Sequence, residues 1–191
     1  IGVIPEAGIE DVSAAAAAAE TAFRKERLSP HERYEILANT SHLLNAQSEE
    51  IARILAEEAG KPIRDARIEV SRAAQTFLIS AEEAKRIHGD GIPVEASKGS
   101  ENRMAFTIRV PVGPVCAISP FNFPLNLVAH KVGPAIAAGN TVVLKPSSLT
   151  PFSAIRLGEV MIKAGLPPGH LNILFGPGKS VGESLLTDPR F

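Results

Sequence analysis

The sequence of 191 residues has little of several features that would assign it to a protein class directly. Cys116 is its single cysteine, so no intramolecular disulfide can form, and we expect a reducing, cytoplasmic compartment. Its apolar runs are interrupted by Pro, His or Lys well before the roughly 18 residues that a membrane-spanning helix needs. The first residues have no basic segment of the kind that opens a secretory signal.

An excess of charge of either sign is also missing. The 20 basic and 21 acidic residues leave a net charge of −1, and the basic ones are scattered. This balance gives no electrostatic reason to expect nucleic acid or a membrane as a partner. None of the five histidines belongs to an H-E-x-x-H motif or a Cys/His cluster, so no metal site is predicted.

The N-terminal half is predicted to be helical. In Ser29-Pro30-His31-Glu32, the serine caps a helix, the proline takes its first position and the glutamate completes a capping box. Gly60 ends a later helix, because Lys61-Pro62 does not allow it to continue. A first helix is expected over 13–27, with Ser13 as its N-cap. The stretch from Pro30 to Gly60 is expected to divide at 45–48 into two helices, the second capped by Ser48. A further helix is expected over 63–87, with Ile68, Phe77, Leu78 and Ile79 on its buried side.

The pattern then changes twice. Residues 92–96 and 103–110 fit two strands of a β-hairpin that interrupts the helices. From Val112 onwards, near-continuous apolar strands alternate with helices, which favours a parallel sheet of the α/β class. The strands are expected over 112–118, 141–144 and 171–175, and the helices over 125–138, 151–164 and 179–186.

Three polar segments, 119–122, 145–148 and 176–182, directly follow the predicted strands. Ligands of parallel α/β sheets bind beyond the carboxyl ends of the strands, so these segments are expected to line one edge. The glycines of 176–182 do not have the G-x-G-x-x-G spacing, and a phosphate loop ending at Gly178 would need glycine where Ile173 stands. We interpret this segment as a glycine turn that allows a ligand close to the backbone.

The segment Ser119-Pro120-Phe121-Asn122-Phe123-Pro124 is the most informative in the chain. Proline fixes its own φ and restricts the residue before it, so this loop is stiff. A stiff loop can hold the Asn122 amide at a fixed point, as the stabilisation of a developing oxyanion requires. On this loop alone, the favoured interpretation is a turn in which Asn122 bonds to nearby backbone.

With the strand and loop from Asn140 to Ser148, this loop resembles the aldehyde dehydrogenase superfamily, and the match runs from about Arg24 to Phe191. The resemblance implies an α/β fold of N-terminal helices and part of a Rossmann-like parallel sheet, with a projecting β-hairpin. Its parts would be a helical part of the cofactor domain (1–91), an oligomerisation hairpin (92–111) and the start of the NAD(P)-binding domain (112–191). A homo-oligomer, dimer or tetramer, is expected of the full-length protein; a surface hairpin without a partner is the alternative.

The resemblance also implies roles for single residues. Asn122 would be the catalytic oxyanion-hole amide, and Phe121 would border the nicotinamide or simply pack. Lys145 would donate to the adenosine ribose, and Ser148 stands where NAD-preferring relatives often have glutamate. Since serine would not repel a 2′-phosphate, the cofactor is NADP or NAD, and we expect NADP to be accepted. Further cofactor contacts are implied at Ser119, Pro120, Ser147, Gly178 and Gly182.

The implied activity is NAD(P)-dependent oxidation of a small aldehyde to a carboxylic acid through a cysteine thioester. The resemblance implies that the cysteine and glutamate of that chemistry lie beyond Phe191. Both ends of the sequence look cut, and Cys116 is interpreted as a buried apolar residue. The 191 residues alone are therefore expected to be inactive. The alternatives are a dehydrogenase that passes its acyl group to coenzyme A, and a non-catalytic relative or fragment. Hydroxy- or phospho-aldehydes and semialdehydes are the expected substrates.

Overall fold

The computed structural model describes residues 2–191, which begin with four helices: α1 (Ile9–Lys25), α2 (Pro30–Ala46), α3 (Ser48–Ala59) and α4 (Ile63–Ala84). The predicted capping box of α2 is confirmed. Ser29 Oγ accepts from the Glu32 N–H at 3.2 Å, and the Ser29 N–H donates to the Glu32 carboxylate at 2.7 Å. Gly60 ends α3 with φ of 63°, as predicted for a left-handed helix end.

Two predicted helix starts are displaced. The first helix begins at Ile9 because Gly8 is its N-cap and donates its N–H to the Asp11 carboxylate at 2.8 Å. Ser13 therefore lies inside α1 and caps nothing. Ser48 is likewise the first residue of α3, with Gln47 at the N-cap.

The buried side of α4 differs from the prediction. Phe77 is buried, but Ile68, Leu78 and Ile79 are 53%, 41% and 54% exposed. The buried face consists largely of small residues, which let α4 pack closely against its neighbours α2 and α5. These buried residues are Ala66, Val70, Ala73, Ala74, Ala81 and Ala84.

The predicted hairpin is present but short. Only β1 (Gly91–Ile92) and β2 (Ala105–Phe106) pair, in antiparallel register, so the predicted strands 92–96 and 103–110 were too long. Pro93 has no N–H to donate to the ladder, and a 3₁₀ turn follows at Val94–Ala96.

The second half forms a parallel sheet of β3 (Pro114–Ile118), β4 (Thr141–Lys145) and β5 (Leu171–Ile173), in that spatial order. The first two strands are followed by α5 (Asn126–Ala137) and α6 (Phe152–Lys163). A π-helical turn at Gly178–Gly182 leads into α7 (Glu183–Thr187) after β5. The predicted α/β class is confirmed. We call the edge where the three strands end the carboxyl edge.

The sheet carries a core on each face. Val142 and Leu144 belong to the larger core, which α2 to α6 cover, whereas Val143 packs with Val12 of α1 and Leu185 of α7. Side chains alternate along a strand, so Lys145 projects on the same face as Val143. The Lys145 side chain therefore lies on the face of the sheet that α1 and α7 cover, and it can contact only the loops on that face.

Within residues 2–191, no helix is both long enough and apolar enough to cross a membrane. The same residues contain no group of three or more His, Cys, Asp or Glu side chains placed to hold a metal ion. The division into residues 1–91, 92–111 and 112–191 as functional parts stays a prediction.

Candidate active site

The first loop of the carboxyl edge begins where β3 ends. The Ser119 N–H donates to the Lys145 carbonyl at 3.1 Å, which ties this loop to the end of β4. Ser119 is 5% exposed, and its buried Oγ has no hydrogen-bond partner in the part of the chain that the structure describes. An unpartnered buried hydroxyl is unfavourable by itself, so this atom is available to a polar ligand.

Asn122 and Phe121 lie further along this loop, and both are exposed. Among the hydrogen bonds of residues 2–191, none involves the Asn122 side chain, although its carbonyl accepts from Lys61 Nζ at 3.0 Å. Pro124 is buried and anchors the far end of the loop. The loop is thus held through its backbone while the carboxamide remains free to donate, which favours the oxyanion interpretation over the backbone-bonded turn.

Lys145, the last residue of β4, is 6% exposed. Its Nζ donates to the Pro146 carbonyl at 3.3 Å, and burial lowers the pKa of Lys145. A Cβ placed on Gly182 would lie 3.9 Å from Lys145 Cδ, so the lysine stem runs beside the glycine turn. An anion bound at this edge would favour the charged form of the lysine.

The second loop is linked to the third through Ser148. Its Oγ donates to the Gly176 carbonyl at 3.1 Å, while Ser147 Oγ accepts from the Leu149 N–H at 3.2 Å. Residues 145–150 contain no carboxylate. Apart from Lys145, this segment therefore presents hydroxyl groups, and the nearby carboxylate is that of Glu6, which lines the same cavity as Ser148.

The glycine segment is not the plain helix start that was predicted at residue 179. The Pro177 carbonyl accepts from both the Val181 N–H at 3.1 Å and the Gly182 N–H at 3.3 Å, which widens the turn into a π-helix. A Cβ placed on Gly178 would meet no atom within 4 Å. The segment therefore leaves open space beside the backbone, as a ligand-facing turn requires.

Two glutamates near the site were missed by the sequence analysis. Glu69 accepts from the N–H groups of Leu125 and Asn126, at 2.9 and 3.1 Å, and so holds the start of α5. Glu58 holds the start of α6 in the same way, through the N–H groups of residues 152 and 153 at 2.8 and 3.2 Å. Burial raises the pKa of Glu58, although its hydrogen bonds act in the opposite direction. The sequence does contain a signal for Glu69. It is an acidic residue on the same face of the predicted helix as the apolar Ala66, Val70 and Ala73, and a carboxylate on a buried face needs a bonding partner.

The model of the aldehyde dehydrogenase family matches residues 1–191. The chain belongs to the aldehyde dehydrogenase family. The resemblance drawn from the two loops is therefore confirmed, and the match extends to residues before Arg24.

Named relatives within the aldehyde dehydrogenase family are similar over nearly all of the chain. The 3-sulfolactaldehyde dehydrogenase of Priestia aryabhattai is 59% identical over 177 residues, which are 93% of this chain and 37% of that protein. The NADP-dependent succinate-semialdehyde dehydrogenase of Escherichia coli K12 is 40% identical over 190 residues, with 99% and 39% covered. A solved glyceraldehyde-3-phosphate dehydrogenase from Methanocaldococcus jannaschii, in complex with NADP, has a TM-score of 0.92 at 40% identity, with 100% and 41% covered. This chain thus spans about two fifths of the length of these aldehyde dehydrogenases.

Cys116 of this aldehyde dehydrogenase chain is half-buried in β3 and packs against the core around Val143. Burial raises the pKa of the Cys116 thiol, which disfavours the thiolate that a nucleophile needs. Its position and environment agree with a packing role. The residues that the carboxyl edge offers to chemistry are thus an amide donor, a lysine, hydroxyls and a glycine turn.

Proposed function

We propose that the full-length protein carrying this chain is an NAD(P)-dependent aldehyde dehydrogenase that oxidises a small anionic aldehyde to a carboxylate. The observation that carries this proposal is the Asn122 carboxamide, exposed at the carboxyl edge on a loop whose backbone is tied at several points. Family membership supports the reaction type. The aldehydes in the relatives' names, sulfolactaldehyde and succinate semialdehyde, support an anionic substrate.

Asn122 acts at the step in which negative charge develops. A cysteine thiolate, which this chain does not supply, adds to the aldehyde carbon, and the carbonyl electron pair moves onto oxygen. The Asn122 N–H donates to that oxyanion and stabilises it more than the neutral carbonyl. NAD(P)⁺, held by residues such as Lys145 and Ser119, would supply the acceptor for the hydride that leaves this carbon, and water would then release the thioester as the carboxylate.

The carboxyl edge fits a dinucleotide cofactor. The unpartnered Ser119 hydroxyl, the buried Lys145 ammonium and the open space at Gly178 are groups that such a ligand would engage. Phe121 would border the nicotinamide and Lys145 the adenosine ribose. The other contacts proposed are Pro120, Ser147, Ser148 and Gly182.

The choice between the two nicotinamide dinucleotides depends on Ser148. Because residues 145–150 carry a lysine and no carboxylate, this segment would attract a 2′-phosphate, although Glu6 lines the same cavity as Ser148 and would oppose that attraction. The relatives whose names specify NADP support the same preference. We therefore propose NADP as an accepted cofactor, with NAD as the second candidate.

The test is a panel of aldehydes offered to the full-length enzyme with NADP or NAD. Sulfolactaldehyde, succinate semialdehyde and glyceraldehyde 3-phosphate are the anionic members, and propanal is the matched uncharged control. Reduced cofactor should form together with free carboxylate, at the highest rate with an anionic aldehyde. A parallel assay includes coenzyme A, and formation of acyl-coenzyme A in place of carboxylate would contradict the proposal. The absence of both cofactor binding and turnover would contradict it as well. The separate 191-residue chain should be inactive in every arm.

The hairpin is proposed to pair subunits in a homo-oligomer. The side chains of Met104, Phe106 and Ile108 on and beside it are 92%, 72% and 72% exposed, which leaves an apolar surface uncovered. Phe106→Asp should dissociate the full-length assembly, as measured by light scattering, whereas Lys98→Asp in the polar connection should not. An unchanged molar mass for Phe106→Asp would contradict this assignment.

A further inference from the structure

The strongest unassigned feature is a buried ion pair behind the Asn122 loop, and the inference drawn from it rests on the proposed role of Asn122. Lys61 lies in the turn between α3 and α4, and Glu69 lies on α4. Their side chains are 14% and 1% exposed. Ion pairs this well buried are unfavourable unless every charged oxygen and proton finds a partner, so their bonding partners matter.

The Glu69 carboxylate divides its two oxygens between two tasks. Its Oε1 accepts both helix-start N–H groups, from Leu125 and Asn126, while Oε2 accepts from Lys61 Nζ. Glu58 provides the contrast within the same fold, because each of its oxygens accepts one helix-start N–H of α6. Glu69 thus caps α5 with one oxygen only and keeps the other for the lysine.

The Lys61 ammonium carries this connection to the loop itself. Its Nζ also donates to the Asn122 carbonyl at 3.0 Å and lies 4.9 Å from the centre of the Phe123 ring. The loop is thereby held at Asn122 by Lys61, and at its junction with α5 by Glu69. Holding the Asn122 backbone fixes the point from which its side chain projects and limits the χ1 rotamers open to it, so these bonds restrict where the side-chain N–H groups can lie.

We propose that Lys61 and Glu69 are positioning residues, which aim the Asn122 carboxamide at the developing oxyanion without touching substrate or cofactor. Oxyanion donors act through preorganisation, so a small displacement of the donor from the oxyanion lowers the rate strongly. A displacement of about 1 Å can lower a rate by about 10²-fold. Lys61 can therefore influence turnover from behind the loop.

The test uses Lys61→Met and Glu69→Gln in the full-length enzyme, with Lys163→Met at the exposed end of α6 as the matched control. Lys61→Met should lower kcat by about 10- to 10²-fold. The Kd for NADP should change by less than kcat, because Lys61 makes no hydrogen bond to Lys145 or to the glycine turn, the groups proposed to hold the adenosine side. Glu69→Gln still accepts the helix N–H groups but loses its charge, and should lower kcat in the same way. Lys61→Arg keeps the positive charge and should retain most of the unmodified kcat. Thermal unfolding of each variant checks that the fold is retained.

The decisive measurement is a double-mutant cycle with Asn122→Ala. If Lys61 acts through Asn122, Lys61→Met should have no further effect on kcat once the carboxamide is gone. Losses that multiply, or an unchanged kcat in folded Lys61→Met, would overturn the positioning role and leave that of Asn122 intact. An unchanged kcat in Asn122→Ala would instead overturn the proposed function, and this inference with it.

Discussion

Replacing Asn122 by alanine should separate activity from stability. The side chain is exposed and makes no hydrogen bond within residues 2–191, so its removal creates neither a cavity nor an unsatisfied partner. The bond that holds the loop uses the Asn122 carbonyl, which alanine retains. We therefore expect the free energy of unfolding to remain within about 0.5 kcal/mol of the unmodified value, as for other exposed sites.

The effect on turnover should be much larger. Removing one oxyanion-hole donor typically costs about 2.7–4 kcal/mol of transition-state stabilisation, which corresponds to about 10²–10³ in kcat. The Asn122 side chain has no hydrogen bond within residues 2–191 to break before it donates to the oxyanion, so the loss should lie within this range. Asn122→Asp has nearly the same shape but replaces the donor by a negative charge beside the oxyanion, and should be more severely impaired.

The assay is the first turnover of the full-length enzyme, followed by the absorbance of reduced cofactor, because the oxyanion forms during acylation. Asn45→Ala, at an exposed position near the end of α2, is the matched control. A rate of first turnover in Asn122→Ala equal to that of Asn45→Ala would refute the reasoning. A large loss of stability would also refute it, since the carboxamide would then be part of the fold.

Three further changes test the cofactor loop, a buried carboxylate and a helix end. Ser148→Glu should raise the KM for NADP far more than that for NAD, because a carboxylate repels a 2′-phosphate; equal changes in the two constants would contradict the assignment. Burial raises the pKa of Glu58, so the folded protein binds more protons than the unfolded one between pH 4.5 and that raised pKa. The free energy of unfolding should therefore fall as pH rises through this window. Measured by urea unfolding at several pH values, this dependence on pH should be weaker in Glu58→Gln and unchanged in the neighbouring Glu57→Gln. Gly139→Ala should lower the free energy of unfolding by about 2–4 kcal/mol, because Gly139 has φ of 85° and an added Cβ would lie 2.7 Å from Arg33 Nη1. Gly60→Ala, at φ of 63° with open space around it, should lower it by only about 1–2 kcal/mol in the same thermal unfolding measurement.

Local chemistry explains which elements could be predicted from the sequence. The capping box at Ser29 and the helix end at Gly60 depend on residues a few positions apart, and both were correct. The buried face of α4 depends on what packs against it, and there Ile68 and Ile79 were assigned wrongly. Apolar character indicated burial, but close packing of α4 against its neighbours selected alanines and left these isoleucines outside.

The candidate site divides in the same way. Parallel strands that end in polar segments predicted which loops would meet, since such strands share one carboxyl edge. Lys61 and Glu69 could not be found from spacing, because they act only when α4 lies beside α5, more than fifty residues further along the chain. Their partners are backbone atoms, which no sequence motif identifies.

By itself the sequence determined the stiffness of the Asn122 loop, the chemistry of the side chains after each strand and the family to which the chain belongs. These properties come from proline, glycine and polar residues acting on their nearest neighbours. The tertiary structure alone decided that Lys145 runs beside the glycine turn, that the Asn122 carboxamide is free to donate, and that a buried ion pair holds its backbone. Those outcomes depend on long-range packing and on hydrogen bonds between distant segments, which form only when helices and sheet are assembled.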